Sequence, residues 1–397
     1  MLGPKAAMQL CPSGAESAGR ELVREEGRIS LQQLAVLLGS FLIGSSTILL
    51  PTVKARQDSW LAVLVALVAG LGVTWLWLAL ARLLGVPAVS GILGTLGPYL
   101  GTPMALLFLW YYLHLGALVV RNISEIYVTA VMPETPIVVF IGVIVLLAGF
   151  AVRGGVEVLG RLAEFLFPLL FLAVLTGHIL VMATPGLVHW EYLRPVLERG
   201  PVPVLQAAFA VFAFPFGETV LFINLVPFTL NRNRAGRSLI LLTTVIGLLL
   251  TGTTAVHIAT LGADVARVNF PGLAVLRQVN LAEFLTRMEA IGIFVWTFGT
   301  FLKICVCYWA LALGLAELGG LADYRPLVLP LGVIMAALSI LLYDNFAGMV
   351  MMAISLYPVY AFPFQVVLPL LMLLSAKLRG TQAPQAAATH VEEEKQP

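Results

Sequence analysis

Charged residues are scarce in this sequence. Only 11% of its 397 residues are charged and 60% are hydrophobic, whereas a soluble globular domain typically has about 25% charged residues. The 23 Lys and Arg residues nearly balance the 21 Asp and Glu residues, so the net charge of +2 indicates no particular partner. The composition excludes a water-soluble protein, and we expect no nucleic-acid partner.

Cysteine is also rare, and a cleavable targeting segment is missing. There are three cysteines, and Cys305 and Cys307 lie two apart in an apolar run, where a helix would point them to different faces. The first 28 residues contain no apolar core followed by a small-residue cleavage site. We therefore expect no disulfide framework, no metal site, no cofactor and no removed signal peptide.

The motifs of intramembrane or metal-dependent enzymes are absent as well. The sequence contains no H-E-x-x-H motif, no G-x-S-x-G motif and no paired aspartates within its apolar runs. Because an enzyme would need a nucleophile with a base, or a set of metal ligands, we expect that this protein is not an enzyme.

Long apolar runs, in contrast, follow one another along the chain. A membrane-spanning helix needs about 20 largely apolar residues, and polar or Pro/Gly-marked points divide the chain into ten such candidates. They lie near residues 30–52, 59–82, 103–131, 136–152, 161–184, 203–230, 237–261, 287–318, 326–343 and 349–377. The sequence thus predicts an all-α integral membrane domain over residues 29–378, between a tail of residues 1–28 and a disordered tail of residues 379–397.

The distribution of Lys and Arg predicts the orientation of these spans. If the N-terminus is cytoplasmic, the inner segments hold about twice as many positive residues as the outer ones, which fits the positive-inside rule. Both termini are then cytoplasmic, and the longer outer loops at 185–202 and 262–286 have room for short helices. The inner stretch from Gly85 to Pro103 is rich in glycine and too polar to span, so we expect an interfacial or re-entrant segment there.

Two spans carry helix-breaking residues near their middle. Proline removes a backbone donor, and glycine lets the chain unwind and approach a ligand closely. The first segment is Ile43, Gly44, Ser45, Ser46 and Thr47, and the second is Phe214, Pro215, Phe216, Gly217, Glu218 and Thr219. Since lipid cannot satisfy the freed backbone groups, such breaks persist where they line a cavity or pack against neighbouring helices.

The positions of the two breaks also match a known kind of symmetry. A ten-helix chain made of two inverted five-helix repeats has its first and sixth spans as equivalents, and these are the two that break here. We therefore predict a ligand-binding site between the breaks. The alternative is that Gly44 and Gly217 merely permit close helix packing.

Glu218 and Lys303 are the ionisable residues deepest in their predicted spans. A charge at the bilayer centre costs about 2.5–3.5 kcal/mol even on the translocon-insertion scale, so such residues face a cavity or a partner. Glu218 suits an amine partner or a proton carrier, and Lys303 either contributes to the site or forms a structural ion pair. In the third span Arg121 and Glu125 share one helical face and can pair with each other.

Three short segments resemble the spore germination permeases, the B subunits of germinant receptors. They are the stretch F-P-F-G-E-T-V from Phe214, the turn M-P-E-T-P from Met132 and the opening I-S-L-Q-Q-L from Ile29, and the resemblance runs to about Leu378. It implies the amino acid, polyamine and organocation superfamily, with its five-plus-five inverted repeat. In that fold the unwound first and sixth helices hold an amino acid between them.

The resemblance also implies a function and partners. It indicates a nutrient-sensing subunit that works with an A subunit and a lipoprotein C subunit in the spore inner membrane. The small residues at both breaks and the apolar walls of Phe214 and Phe216 suit a small neutral amino acid as ligand. Sodium-coupled relatives place a cation between the first and eighth helices, where Lys303 would instead supply a fixed charge. The alternative is a proton-coupled amino-acid transporter, because a fold alone does not decide between sensing and transport.

Overall fold

The computed structural model describes residues 25–48, 51–231, 234–281, 285–286 and 288–379. Most of both predicted tails, and residues 49 and 50 of the first predicted span, lie outside this part of the chain. The described residues form α1 (Leu31–Ile43), α2 (Ser59–Leu84), α3 (Ala88–Ile126), α4 (Ile137–Arg153), α5 (Val156–Ala183), α6 (Pro201–Val211), α7 (Ala235–Leu261), α8 (Pro271–Arg277), α9 (Glu289–Gly319), α10 (Arg325–Leu341), α11 (Phe346–Met351), α12 (Tyr357–Phe362) and α13 (Leu368–Leu378).

The predicted all-α membrane class is confirmed. Within the described residues, seven helical segments are long and apolar enough to cross a membrane. They are Val53–Leu84, Ala88–Val131, Val156–Ala183, Pro201–Asn224, Ala235–Ala266, Glu289–Gly319 and Phe346–Leu378. Three shorter apolar helices, α1, α4 and α10, occupy the first, fourth and ninth predicted positions. Each of the ten predicted runs thus contains an apolar helical segment, while the count of ten membrane spans stays a prediction.

The loops predicted on the outer side contain short helices, as expected. A 3-10 turn forms at Trp190–Leu193 and another at Gly262–Ala266, which is followed by α8. The second loop also contains a small antiparallel hairpin, Asn280–Leu281 with Leu285–Thr286, that the sequence analysis did not predict. Hairpins of this size have too few residues for a clear alternating pattern.

The glycine-rich stretch after α2 is helical. The chain enters α3 at Ala88 and bends at Gly97, whose φ of 74° is in the region that favours glycine, before Pro98 starts the long part of the helix. The segment before Gly97 is therefore a short helix set at an angle to the third span. Its predicted location at the membrane interface stays a prediction.

Helix α9 lies at the centre of the bundle. It packs against α1, α3, α4 and α5, and its side chains from Leu302 to Gly314 are all buried. Trp296 and Trp309 are among the largest fully buried side chains. Because α9 carries Lys303, this central position brings the lysine next to several helices at once.

Residues 25–30 lead the chain into the bundle. Ser30 caps α1 in a capping box with Gln33, and Ile29 pairs with Thr229 in a short parallel bridge. The sequence analysis counts Glu25 with the tail, yet its buried carboxylate accepts hydrogen bonds from Trp309 Nε1 (3.2 Å) and the Tyr324 hydroxyl (2.8 Å). Burial and the neighbouring Glu25 carboxylate raise the pKa of Tyr324.

Candidate functional site

The predicted break in the first span is present. Helix α1 ends at Ile43, and a 3-10 turn at Ser45–Thr47 follows Gly44. At this point the backbone of Gly44 contacts the backbone of α9: a Cβ added to Gly299 would lie 2.7 Å from Gly44 Cα. The glycine therefore permits close packing between the first and eighth spans, the alternative that the sequence left open.

The predicted break in the sixth span is present as well. Helix α6 ends at Val211 and continues as a π-helical segment, Phe212–Phe216, in which Phe214 has extended backbone angles (φ −139°, ψ 110°). A 3-10 helix, Gly217–Asn224, follows the break. Pro215 explains the local structure, since proline pushes the preceding residue out of the helical region.

A buried ion pair joins the sixth break to α9. Lys303 Nζ donates a hydrogen bond to Glu218 Oε2, and the exposed fractions of the two side chains are 0% and 1%. The Tyr357 hydroxyl donates to the other carboxylate oxygen, Oε1, at 2.6 Å. Each charge thus has a partner, as burial in a membrane protein requires.

Two aromatic rings complete the surroundings of the lysine. Its Nζ atom lies 4.9 Å from the ring centroid of Phe41 on α1 and 4.5 Å from that of Phe214 in the sixth break. Both distances are within the range of cation–π attraction. Lys303 therefore connects α9 to both the first span and the sixth break.

A fully buried glutamine fixes the other side of the sixth break. Gln365 Nε2 donates to the backbone oxygen of Ala213 and to the Tyr111 hydroxyl, both at 2.8 Å. The Gln365 side chain also lies where a Cβ at position 217 would be, so Gly217 leaves the room that the amide occupies. The glycine therefore serves close packing here too.

A cavity of about 170 Å³ opens beside the sixth break. We call it the Glu218 cavity, because this carboxylate lies on its wall. Its apolar lining includes Leu115, Leu118, Val119, Phe214, Phe346 and Met349, and its polar lining is Asn122, Glu218, Arg267, Asn269, Tyr343 and Tyr357. By the same measure a single water needs about 10–15 Å³, so there is room for a small organic molecule.

The predicted site residues fall into three groups. Phe214 and Glu218 line the Glu218 cavity, and Lys303 lies directly behind Glu218. Thr47 lines a second, smaller cavity, described below. The others surround the breaks: Ile43, Gly44, Ser46, Pro215, Phe216 and Gly217 are buried, and Ser45 begins the 3-10 turn. Ligand contact by these residues stays a prediction.

Three residues of this region were missed by the sequence analysis. Tyr357 and Gln365 lie in the tenth predicted run, and Asn122 lies in the third beside Arg121. The only sequence feature that could have identified them is a polar group within an apolar run, and many packing residues have the same feature. The side chain of Asn122 makes no hydrogen bond to another described residue, although it lines the cavity.

Two further ion pairs lie away from the breaks, and the first of them was predicted. Arg121 forms an ion pair with Glu125 at 2.8 Å, and its guanidinium also donates to the backbone oxygens of Ser339 and Ile340 at the end of α10. Arg161 and Glu157 form an exposed pair at the start of α5. Exposed pairs of this kind contribute little to stability, whereas the Arg121–Glu125 pair is buried and joins α3 to the end of α10.

Comparison with solved structures places this fold among transporters. The structure of MhsT in complex with L-phenylalanine matches with a TM-score of 0.60 over 91% of this chain and 97% of that one, at 13% identity. Mhp1, a nucleobase-cation-symport-1 family transporter solved in a closed conformation with bromovinylhydantoin bound, matches with a TM-score of 0.55 over 91% and 80%, at 14% identity. At these identities the likeness shows the fold alone.

Sequence comparison shows the family. Spore germination protein KB of Bacillus subtilis (strain 168) is 30% identical over 89% of this chain and 95% of its own length. Spore germination protein YndE of the same organism is 25% identical over 73% and 81%, and spore germination protein XB of Bacillus anthracis is 20% identical over 68% and 75%. The profile of the spore germination protein family matches residues 28–347. This multi-pass membrane protein therefore belongs to the spore germination protein family.

Proposed function

We propose that this protein is the nutrient-sensing membrane subunit of a spore germination receptor, and that the Glu218 cavity binds its ligand. The observation that carries the proposal is the position of Glu218, a buried acid in a helix break that forms part of a cavity wall. Broken helices beside a cavity are the usual place for small-ligand recognition in this kind of fold.

The chemistry of the cavity favours a small amino acid. Each oxygen of Glu218 holds one hydrogen bond, from Lys303 or from Tyr357, and a carboxylate has about four acceptor positions in all. It can therefore still accept from the ammonium group of a ligand. Asn122 offers amide donors to the ligand carboxylate, and Phe214 provides an apolar wall.

Family membership supports the further parts of the proposal, and the distribution of Lys and Arg supports the location of the termini. The protein works with an A subunit and a lipoprotein C subunit in the spore inner membrane, with both termini in the cytoplasm, and it has no enzymatic activity. A proton-coupled amino-acid transporter is the second candidate, which the likeness to Mhp1, a nucleobase-cation-symport-1 family transporter, supports at the level of fold.

A cavity-filling substitution tests this proposal. Ile354 lines the Glu218 cavity, so Ile354→Trp should fill it and abolish binding when the purified protein is titrated against a panel of amino acids. The matched control is Ile334→Trp, because Ile334 on α10 is 49% exposed. We expect the control to bind as the wild type does.

The binding experiment, followed by a transport assay, separates the alternatives. If Ile354→Trp is normally abundant and binds the ligand with unchanged affinity, the cavity is not the binding site. In proteoliposomes with a proton gradient, accumulation of the bound amino acid would favour the transporter. Binding without accumulation would favour the receptor.

A further inference from the structure

A second cavity, of about 50 Å³, lies between α5, α7, α8 and α9 beside the first break. Its polar side chains are Thr47, His178, Thr253 and His257, and the rest of its lining is apolar or glycine. We call it the histidine cavity. It shares no lining residue with the Glu218 cavity, and its volume suffices for an ion with a few waters, at about 10–15 Å³ per water.

His178 has a free nitrogen in the form that binds metals. Its Nδ1 atom lies 2.7 Å from the backbone oxygen of Val174. Because a carbonyl oxygen can only accept, Nδ1 carries the hydrogen, and in the neutral imidazole Nε2 keeps its lone pair. Metal-binding histidines are typically oriented by this kind of hydrogen bond from the second ring nitrogen.

The other three polar groups leave acceptor positions unfilled. Thr47 is 6% exposed, and its hydroxyl has no hydrogen-bond partner among the described residues. A buried hydroxyl left in this way costs about 1–3 kcal/mol. The side chain of His257 makes no hydrogen bond to another described residue. The Thr253 hydroxyl donates to the backbone of Leu249 at 2.9 Å and keeps its lone pairs.

Gly272 explains how these groups come together. A Cβ at this position would lie 2.9 Å from the backbone oxygen of Thr47 and 3.3 Å from Cε1 of His257. The start of α8 therefore fits tightly between the first break and α7. The histidine ring, the backbone of the break and the hydroxyl of Thr47 consequently border one small space.

We propose that the histidine cavity binds a divalent first-row transition-metal ion such as Zn²⁺, with His178 and His257 as its protein ligands. Imidazole nitrogens suit Zn²⁺, Ni²⁺ and Cu²⁺, whereas Mg²⁺ and Ca²⁺ prefer oxygen. The Thr47 hydroxyl accepts a hydrogen bond from a metal-bound water. The ion thereby connects α5 and α7 to the first break.

This site differs from a permanent structural zinc site. Within the described part of the chain, no group of three or more His, Cys, Asp or Glu residues is placed to hold one metal ion, and closed structural sites have four protein ligands. Two histidines leave positions for water, so the ion exchanges with the medium. The proposal revises the expectation of no metal site, which was drawn from the number and spacing of the cysteines.

Metal binding to the full-length protein, purified without a polyhistidine tag, tests the proposal. Equilibrium dialysis with Co²⁺ or Zn²⁺ should show one ion per chain that Mg²⁺ does not displace. His178→Gln and His257→Gln should each weaken binding about tenfold or more, the range in which metal affinity falls when even an outer partner is lost. Thr47→Val should have a smaller effect, through the lost water contact.

His189→Gln is the matched control. His189 is exposed and lies 3.2 Å from Glu191 in the outer loop, outside the histidine cavity, so this variant should bind the ion as the wild type does.

A second measurement covers the case in which a histidine variant does not fold. An ion that binds only the folded protein raises its unfolding temperature, so Zn²⁺ should raise that of the wild type and of His189→Gln. Three results would overturn the proposal: no ion bound to the wild type, unchanged binding in either histidine variant, or an equal loss in His189→Gln.

Discussion

The two helix breaks look alike in sequence but differ in their surroundings. The first break contacts α9 through backbone atoms, at Gly44 and Gly299, and carries no charged side chain of its own. The sixth break carries Glu218, which pairs with Lys303 and lies on a cavity wall. Equivalent breaks in an inverted repeat can therefore differ in function. Both contain a glycine that permits close packing, but only the sixth break also carries a buried charge beside the Glu218 cavity.

The largest expected effect comes from breaking the ion pair. Lys303→Met should lower the free energy of unfolding by about 3–5 kcal/mol, because it leaves the buried carboxylate of Glu218 without its cation. Combining it with Glu218→Gln should restore much of the protein level. Abundance in the membrane and denaturant unfolding in detergent measure this directly.

Ligand response, measured separately from abundance, shows whether the Lys303–Glu218 pair contributes to sensing as well as to stability. Loss of response in a double variant of normal abundance would mean that the charges contribute to sensing as well as to stability. A fully active and normally abundant Lys303→Met protein would contradict both roles.

A smaller effect is expected from the tyrosine that completes this cluster. Tyr357→Phe removes the hydrogen bond to Glu218 Oε1, and hydrogen bonds to charged groups contribute about 1.5–3 kcal/mol. Tyr360→Phe is the matched control, because the buried hydroxyl of Tyr360 has no hydrogen-bond partner in the described part of the chain. Thermal unfolding that is shifted equally by both substitutions would show that the hydrogen bond contributes nothing specific.

The smallest losses of stability are expected from glycine-to-alanine substitutions, which test how each break is packed. Gly299→Ala places a methyl group against the backbone of Gly44, and Gly217→Ala places one against the side chain of Gln365. Overpacking of this kind costs about 1–3 kcal/mol. Because a side chain can be shortened and a backbone cannot, Gln365→Ala should reduce the cost of Gly217→Ala but leave that of Gly299→Ala unchanged.

Gly252→Ala is the control for this pair of substitutions. No atom lies within 4 Å of a Cβ at this position in α7, so the change should be neutral or should stabilise the protein by about 0.5–1 kcal/mol, the helix-propensity difference. Equal destabilisation by all three alanines would refute the assignment of close packing to Gly299 and Gly217. Unfolding free energies of the four single variants, and of the two double variants that combine Gln365→Ala with Gly217→Ala or Gly299→Ala, provide the test.

Part of the candidate site was predictable because its signals are local. A carboxylate and a lysine deep in apolar runs identified Glu218 and Lys303, and proline with glycine identified both breaks. Tyr357, Gln365 and Asn122 were not predicted, since a single polar group in an apolar run belongs to a packing residue as often as to a site residue. For the same reason, the pairing of Lys303 with Glu218 was only one of two alternatives until the structure placed α9 against the sixth break.

The sequence by itself determined the all-α membrane class, the ten apolar runs and the positions of the two breaks. The signals for these features are local: an apolar run is visible within one segment, and proline and glycine affect the backbone over a few residues. They can therefore be predicted without knowing which helices are neighbours. Only the tertiary structure decided which break opens onto the Glu218 cavity and that His178 and His257 border one space. Those contacts join residues far apart in the chain, and they depend on which helices pack side by side.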